Sequence, residues 1–146
     1  MPLSASDVEE NRLVIALHAD VEAVERRTTP RLFVGNQSAA AVRRHQCKNG
    51  VFGFDTVKPG AVPGVNGKPQ APHIVVCIFS RGMLRQVYTR LYFSDEAANG
   101  ADQILNLVPA ERRGTLIAHK QPGEGVPLYR FDIRVQGDNE TVFFDI

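Results

Sequence analysis

The chain has 146 residues, 43% of them apolar and 23% charged, which is enough for one compact domain with a hydrophobic core and ordinary for a soluble globular protein. Its formal net charge of +1 gives no basic field of the kind nucleic acid needs, and the longest apolar run, residues 74–79, is far too short to span a bilayer. The opening Met1-Pro2-Leu3-Ser4-Ala5-Ser6-Asp7 has neither a basic start nor an apolar stretch, and Cys47 and Cys77 form no CxxC pair, so a reduced cytoplasmic protein is expected.

Residues 7–27 read as a helix. Ser6 and Glu9 have the spacing of a capping box, and Leu13, Leu17, Val21 and Val24 recur at helical intervals. Residues 28–46 show little periodicity, with a break at Thr28-Thr29-Pro30 and a loop at Gly35-Asn36-Gln37-Ser38. From Val51 onward the pattern is β: Phe52, Phe54 and Thr56 alternate with Gly53 and Asp55 until Lys58-Pro59-Gly60 ends the strand. Pro63, Pro69 and Pro72 with Gly64 and Gly67, and Pro59 and Gly60 just before, make residues 61–72 a structured loop.

Ile74-Val75-Val76-Cys77-Ile78-Phe79 is apolar on both faces and rich in β-branched residues, as a strand covered on both sides would be, with Cys77 a buried, inert thiol. Val87, Thr89, Leu91 and Phe93 alternate with Tyr88, Arg90 and Tyr92. Residues 94–106 predict one or two short helical turns, and residues 115–118 a short strand. The clearest signal comes last. Tyr129, Phe131, Ile133 and Val135 share one face, Gly137-Asp138-Asn139 turns the chain, and residues 141–144 return. Five or six short strands at this spacing argue for an all-β sandwich.

Three stretches carry a resemblance. Thr56-Val57-Lys58-Pro59-Gly60 followed by Ala71-Pro72-His73-Ile74 resembles the metal-site half of intradiol ring-cleaving dioxygenases. Phe79-Ser80-Arg81-Gly82 with Thr89-Arg90-Leu91-Tyr92-Phe93 narrows this to the protocatechuate 3,4-dioxygenase group. Tyr129-Arg130-Phe131-Asp132-Ile133-Arg134-Val135-Gln136-Gly137 and Glu140-Thr141-Val142-Phe143-Phe144-Asp145 are similar to its α subunits. The resemblance covers about residues 48–146. It implies a prealbumin-like β-sandwich over residues 47–146, preceded by an atypical, helical-looking segment over residues 1–46. It also implies a partner, an iron-bearing β subunit whose two tyrosines and two histidines hold Fe(III). There the metal acts as a Lewis acid on protocatechuate, which O2 cleaves to 3-carboxy-cis,cis-muconate.

Metal-binding relatives carry a tyrosine in the loop after Lys-Pro-Gly and a His-x-His pair at the start of the next strand, where residues two apart share a face and chelate one ion. Here the tyrosine position is Val62 and the pair reads His73-Ile74-Val75, so no metal site and no catalytic residue is expected in this chain. The resemblance assigns Arg81 to the carboxylate of the substrate, lying beside the partner's metal pocket, where a guanidinium gives planar, charge-assisted hydrogen bonds. Tyr88, Tyr92 and Tyr129 are expected to be core or interface aromatics, and Arg43-Arg44 and Arg112-Arg113 solvated surface charge. His18, His45 and His119 have no supporting acid or nucleophile, and no Ser-His-Asp set, Walker loop or dinucleotide fingerprint is present.

Residues 1–46 depart from the family: the Thr-x-Gly-Pro-Tyr segment and the Trp-Gln-Ala-Asp motif are missing, and the chain has no tryptophan. Truncation or a reading-frame change upstream of Lys48 ranks above a replaced N-terminal part as the expected origin. Two functions follow, an accessory enzyme subunit that is inactive without its partner, or a non-enzymatic β-sandwich module or inactive truncated subunit.

Overall fold

Alternation of apolar side chains builds most of this computed structural model, which describes residues 12–20, 31–35, 43–46, 51–79 and 83–145. In β1 (Arg12–Asp20), Leu13, Ile15 and Leu17 are buried while Val14 and Ala16 are only partly so. This corrects the helical reading over the part of residues 7–27 that the structure describes. Leu13 and Leu17 fit either period, but Ile15 falls between them on the same face only if the period is two. Backbone pairing on both sides then fixes the extended form. Ser6, Glu9, Val21 and Val24 lie outside the described residues.

The further strands are β2 (Arg31–Gly35), β3 (Arg43–Gln46), β4 (Val51–Val57), β5 (Val62–Pro63), β6 (Pro69–Gln70), β7 (His73–Phe79), β8 (Val87–Phe93), β9 (Ile117–Lys120) and β10 (Leu128–Arg134). Among the described residues, eight of them join in the order β2-β7-β8-β9-β10-β1-β4-β3. The sheet is mixed. β1 runs parallel to β10, with Ile15 opposite Tyr129, and antiparallel to β4, with Ile15 opposite Phe54. Strand β9 joins the two halves, parallel to β8 through Tyr92 and Phe93 and antiparallel to β10 through Tyr129 and Arg130.

The sheet curls over its own core. Ile74, Val76, Leu91 and Phe93 from one half pack in a single cluster with Leu13, Ile15, Phe54, Phe131 and Ile133 from the other. A second cluster, on the opposite face of β8, gathers Ala71, Tyr92, Leu105, Val108 and Leu116. It is covered by the segment expected to be helical, which forms a 3-10 turn (Ala97–Ala101) and α1 (Gln103–Leu107), and α2 (Ala110–Arg113) follows beyond the expected bounds. Cys77 is buried and unpaired, while Cys47 lies outside the described residues.

Two local readings change. The Pro- and Gly-rich loop contains a two-residue hairpin, Val62 pairing with Gln70 and Pro63 with Pro69. Its turn needs left-handed backbone at Asn66 (φ 61°) and Gly67 (φ 72°), which asparagine and glycine accept most readily. Residues 141–144 begin to return against β10, Thr141 N–H donating to the Arg134 carbonyl at 2.9 Å. They then cross to β8, where Phe144 bridges Tyr88.

Candidate functional site

The face of β7 and β8 away from the main core carries the residues of interest. In antiparallel strands, directly opposed side chains point to the same side. The register places His73 opposite Tyr92 and Val75 opposite Arg90, with the His73 and Tyr92 rings 5.5 Å apart. Arg90 donates from Nη1 to Gln70 Oε1 at 2.7 Å, and its guanidinium lies 5.9 Å from the centre of the Phe144 ring. Gln70 is also the backbone partner of Val62. The β5–β6 hairpin therefore links the Val62 position to the Arg90 side chain.

A buried carboxylate holds this corner together. Asp102 is fully buried at the start of α1, where Oδ1 caps the helix by accepting from Leu105 N–H at 2.8 Å. The same oxygen accepts from the Tyr92 hydroxyl at 3.1 Å, and Oδ2 accepts from Ala71 N–H at 2.8 Å. That last bond anchors Ala71, and the carbonyl of the same residue lies 2.8 Å from His73 Nδ1 and accepts its proton. Nε2 is left as the imidazole's free lone pair.

Burial holds the His73 imidazole below its ordinary pKa. The Ala71 carbonyl and Asp102 work against that shift, while the positive charge of Arg90 adds to it. Burial also pushes the Tyr92 phenol up to about 12, with Asp102 adding to the effect and Arg90 opposing it. A second polar cluster ties the end of β4 to the turn after β8. Lys58 pairs with Asp95 at 3.5 Å and Glu96 at 3.3 Å, Lys120 pairs with Asp95 at 3.3 Å, and the Tyr129 hydroxyl donates to Asp95 at 2.8 Å. Lys58 also lies 5.2 Å from the centre of the Phe93 ring.

The structure brings His73 and Val75 onto one face, as a His-x-His pair would be, with Val62 on the adjoining hairpin. The donors do not fit a ferric ion. Two of the three ligand positions are hydrocarbon, the third is a neutral imidazole, and a guanidinium stands opposite Val75. Among the described residues, no three His, Cys, Asp or Glu side chains converge as a metal-binding group. Arg81 lies outside the described residues, as do the side chains of His18, His45, Arg43 and Arg44.

Tyr92 and Tyr129 are buried, as expected of core aromatics. His119 is exposed. The expectation for Arg112 and Arg113 is corrected. Arg112 donates to the Glu140 carbonyl at 2.8 Å, and Arg113 donates to the Val108 and Asn106 carbonyls at 2.7 and 3.1 Å, so both clamp backbone. Asp102, Gln70 and Arg90 form no motif in the sequence; strand register and hydrogen bonds between distant segments unite them.

The fold defined by this curled sheet is that of the intradiol dioxygenases. The structure superposes on the dioxygenase domain of a dioxygenase–carbohydrate-binding protein fusion from Streptomyces sp. SirexAA-E with a TM-score of 0.62 and 18% identity, covering 96% of this chain and 86% of that one. It also matches 3-chlorocatechol 1,2-dioxygenase from Rhodococcus opacus 1CP, with a TM-score of 0.57 and 15% identity over 92% of this chain and 62% of that one. In sequence, the chain is similar to protocatechuate 3,4-dioxygenase alpha chains. It is 55% identical to that of Burkholderia cepacia over 98 residues, 65% of this chain and 47% of the relative. It is 51% identical to that of Pseudomonas putida over 98 residues, 66% of this chain and 49% of the relative. The chain thus spans about half the length of the curated relatives it matches. No family model matches it.

Proposed function

We propose that this chain is an α-type subunit of protocatechuate 3,4-dioxygenase, working beside an iron-bearing β subunit in the cytoplasm. The observation that carries this reading is 55% identity to an alpha chain of that enzyme over 98 residues. The donor chemistry supports it: Val62 and Val75 offer no lone pair where a metal-binding chain needs phenolate and imidazole. Fe(III) is then held by the partner, where it supplies the Lewis acid for O2-dependent cleavage of protocatechuate to 3-carboxy-cis,cis-muconate. On this reading, residues 47–146, with β1, β2 and β3 joined to their sheet, adopt the prealbumin-like β-sandwich of the family.

Arg81 follows β7 by two residues and would bind the substrate carboxylate at the partner's pocket, selecting protocatechuate over plain catechol. The test is co-expression of the full chain with such a β subunit, followed by size-exclusion chromatography and oxygen uptake. A stable complex that consumes O2 with protocatechuate is expected, and absence of any complex overturns the assignment. Within the complex, Arg81→Ala should raise KM for protocatechuate at least about tenfold while leaving KM for 4-methylcatechol within about twofold, since about 1.4 kcal/mol of a charged hydrogen bond is at stake. Equal effects on both substrates would remove Arg81 from the role. That the match covers only about half of each relative favours a second reading as a non-enzymatic β-sandwich module, which the same co-expression distinguishes.

A further inference from the structure

Loss of ligands explains why a chain cannot hold a metal, but the geometry around His73 adds a second barrier that ligand replacement would not remove. We infer that Arg90 is a built-in cation that bars a metal ion from the His73 face of β7 and β8. The inference rests on reading this face as the iron-free counterpart of a metal site. Val75, which shares the face of His73, lies directly opposite Arg90 in the strand register. An ion bridging positions 73 and 75 would lie on the face from which the Arg90 side chain rises, where its charge already acts on His73.

That guanidinium is not free to swing away. It is tied to Gln70 Oε1 at 2.7 Å and flanked by the ring of Phe144, whose backbone is bridged to Tyr88. The one buried carboxylate of this corner compensates only in part: both oxygens of Asp102 are committed to Ala71, Leu105 and Tyr92, so neither is free to ligate, and its pull on a positive charge at His73 is smaller than the push of Arg90. A divalent ion here would meet a fixed positive charge at short range in a half-buried setting, where repulsion is poorly screened.

The test uses the full chain and Co2+ alone, followed by visible absorption and calorimetry. Val75→His restores a same-face imidazole pair with His73, and it is compared with Val75→His/Arg90→Met and Val75→His/Arg90→Lys. Val75→His should bind Co2+ no more than about twofold tighter than the parent, and Val75→His/Arg90→Met at least about tenfold tighter than Val75→His. The Lys variant, which keeps the charge, should behave as Val75→His does. Equal affinity of Val75→His and Val75→His/Arg90→Met, whether tight or weak, overturns the inference. So does tight binding by the Lys variant. Arg90→Gln provides a second neutral replacement should the Met variant fail to show a cooperative melt. No partner subunit enters this experiment, so its outcome is independent of whether the chain assembles into an active dioxygenase.

Discussion

Asp102 is the residue on which the His73 corner depends. Its carboxylate satisfies the Ala71 and Leu105 amides and the Tyr92 hydroxyl with no water between them, in a fully buried position. Tyr92→Phe removes one of these bonds and should lower the unfolding free energy by about 1–3 kcal/mol in urea titrations. Asp102→Ala leaves three buried donors unpaired at once, and a larger loss of about 3–5 kcal/mol is expected. A smaller effect for Asp102→Ala than for Tyr92→Phe would contradict this hierarchy. Asp95 behaves differently because it is more exposed. Its burial raises the carboxyl pKa, but the Tyr129 hydroxyl, Lys58 and Lys120 outweigh that and hold it below the ordinary carboxylate range. A depressed folded pKa stabilises the fold above about pH 4, and this contribution disappears as the pH falls through the folded value. Asp95→Asn should therefore lower the urea midpoint at neutral pH, and its midpoint should converge with that of the parent in acid.

At the scale of elements, β1 is the strand on which most pairing converges, since it fills the gap between β10 and β4. Ile15 is fully buried at its centre. Ile15→Asp places an unpaired charge in the main core and should cost at least about 3 kcal/mol, which a thermal melt or urea titration would register. A change within about 0.5 kcal/mol would mean that β1 is not seated in the core. Legibility from sequence also divides by element. β10 shows a strict alternation of buried and exposed residues, and the eye finds it at once. β7 is readable as an apolar, β-branched run because both of its faces are covered. β1 misleads because Leu13 and Leu17 satisfy two periods, and only a partner strand on each side decides between them. For the site, Val62, His73 and Val75 are legible from the local motifs around them. Arg90 and Asp102 gain meaning from strand register and from a fold that brings residue 102 back to residue 71, neither of which a linear motif encodes.

Over the whole molecule, the segment that looks least like the dioxygenase family contributes a central strand of the sheet. We expect the fragment 47–146 to lose cooperative folding, because without β1 the facing edges of β4 and β10 are left unpaired and the core is opened along Leu13, Ile15 and Leu17. Differential scanning calorimetry of the fragment checks this, and a sharp transition at the Tm of the full chain would show that β1 is dispensable. The parallel pairing of β1 with β10 also has a consequence for biosynthesis. On the ribosome, β1 can meet β4 early, but seventy residues separate the end of β4 from the start of β10. At 5–20 residues per second, the nascent chain carries β1 with one side uncovered for roughly 4–14 s. During that interval its open edge is available to chaperones, and to neighbouring polypeptides on the same messenger, before the last strand emerges to close it.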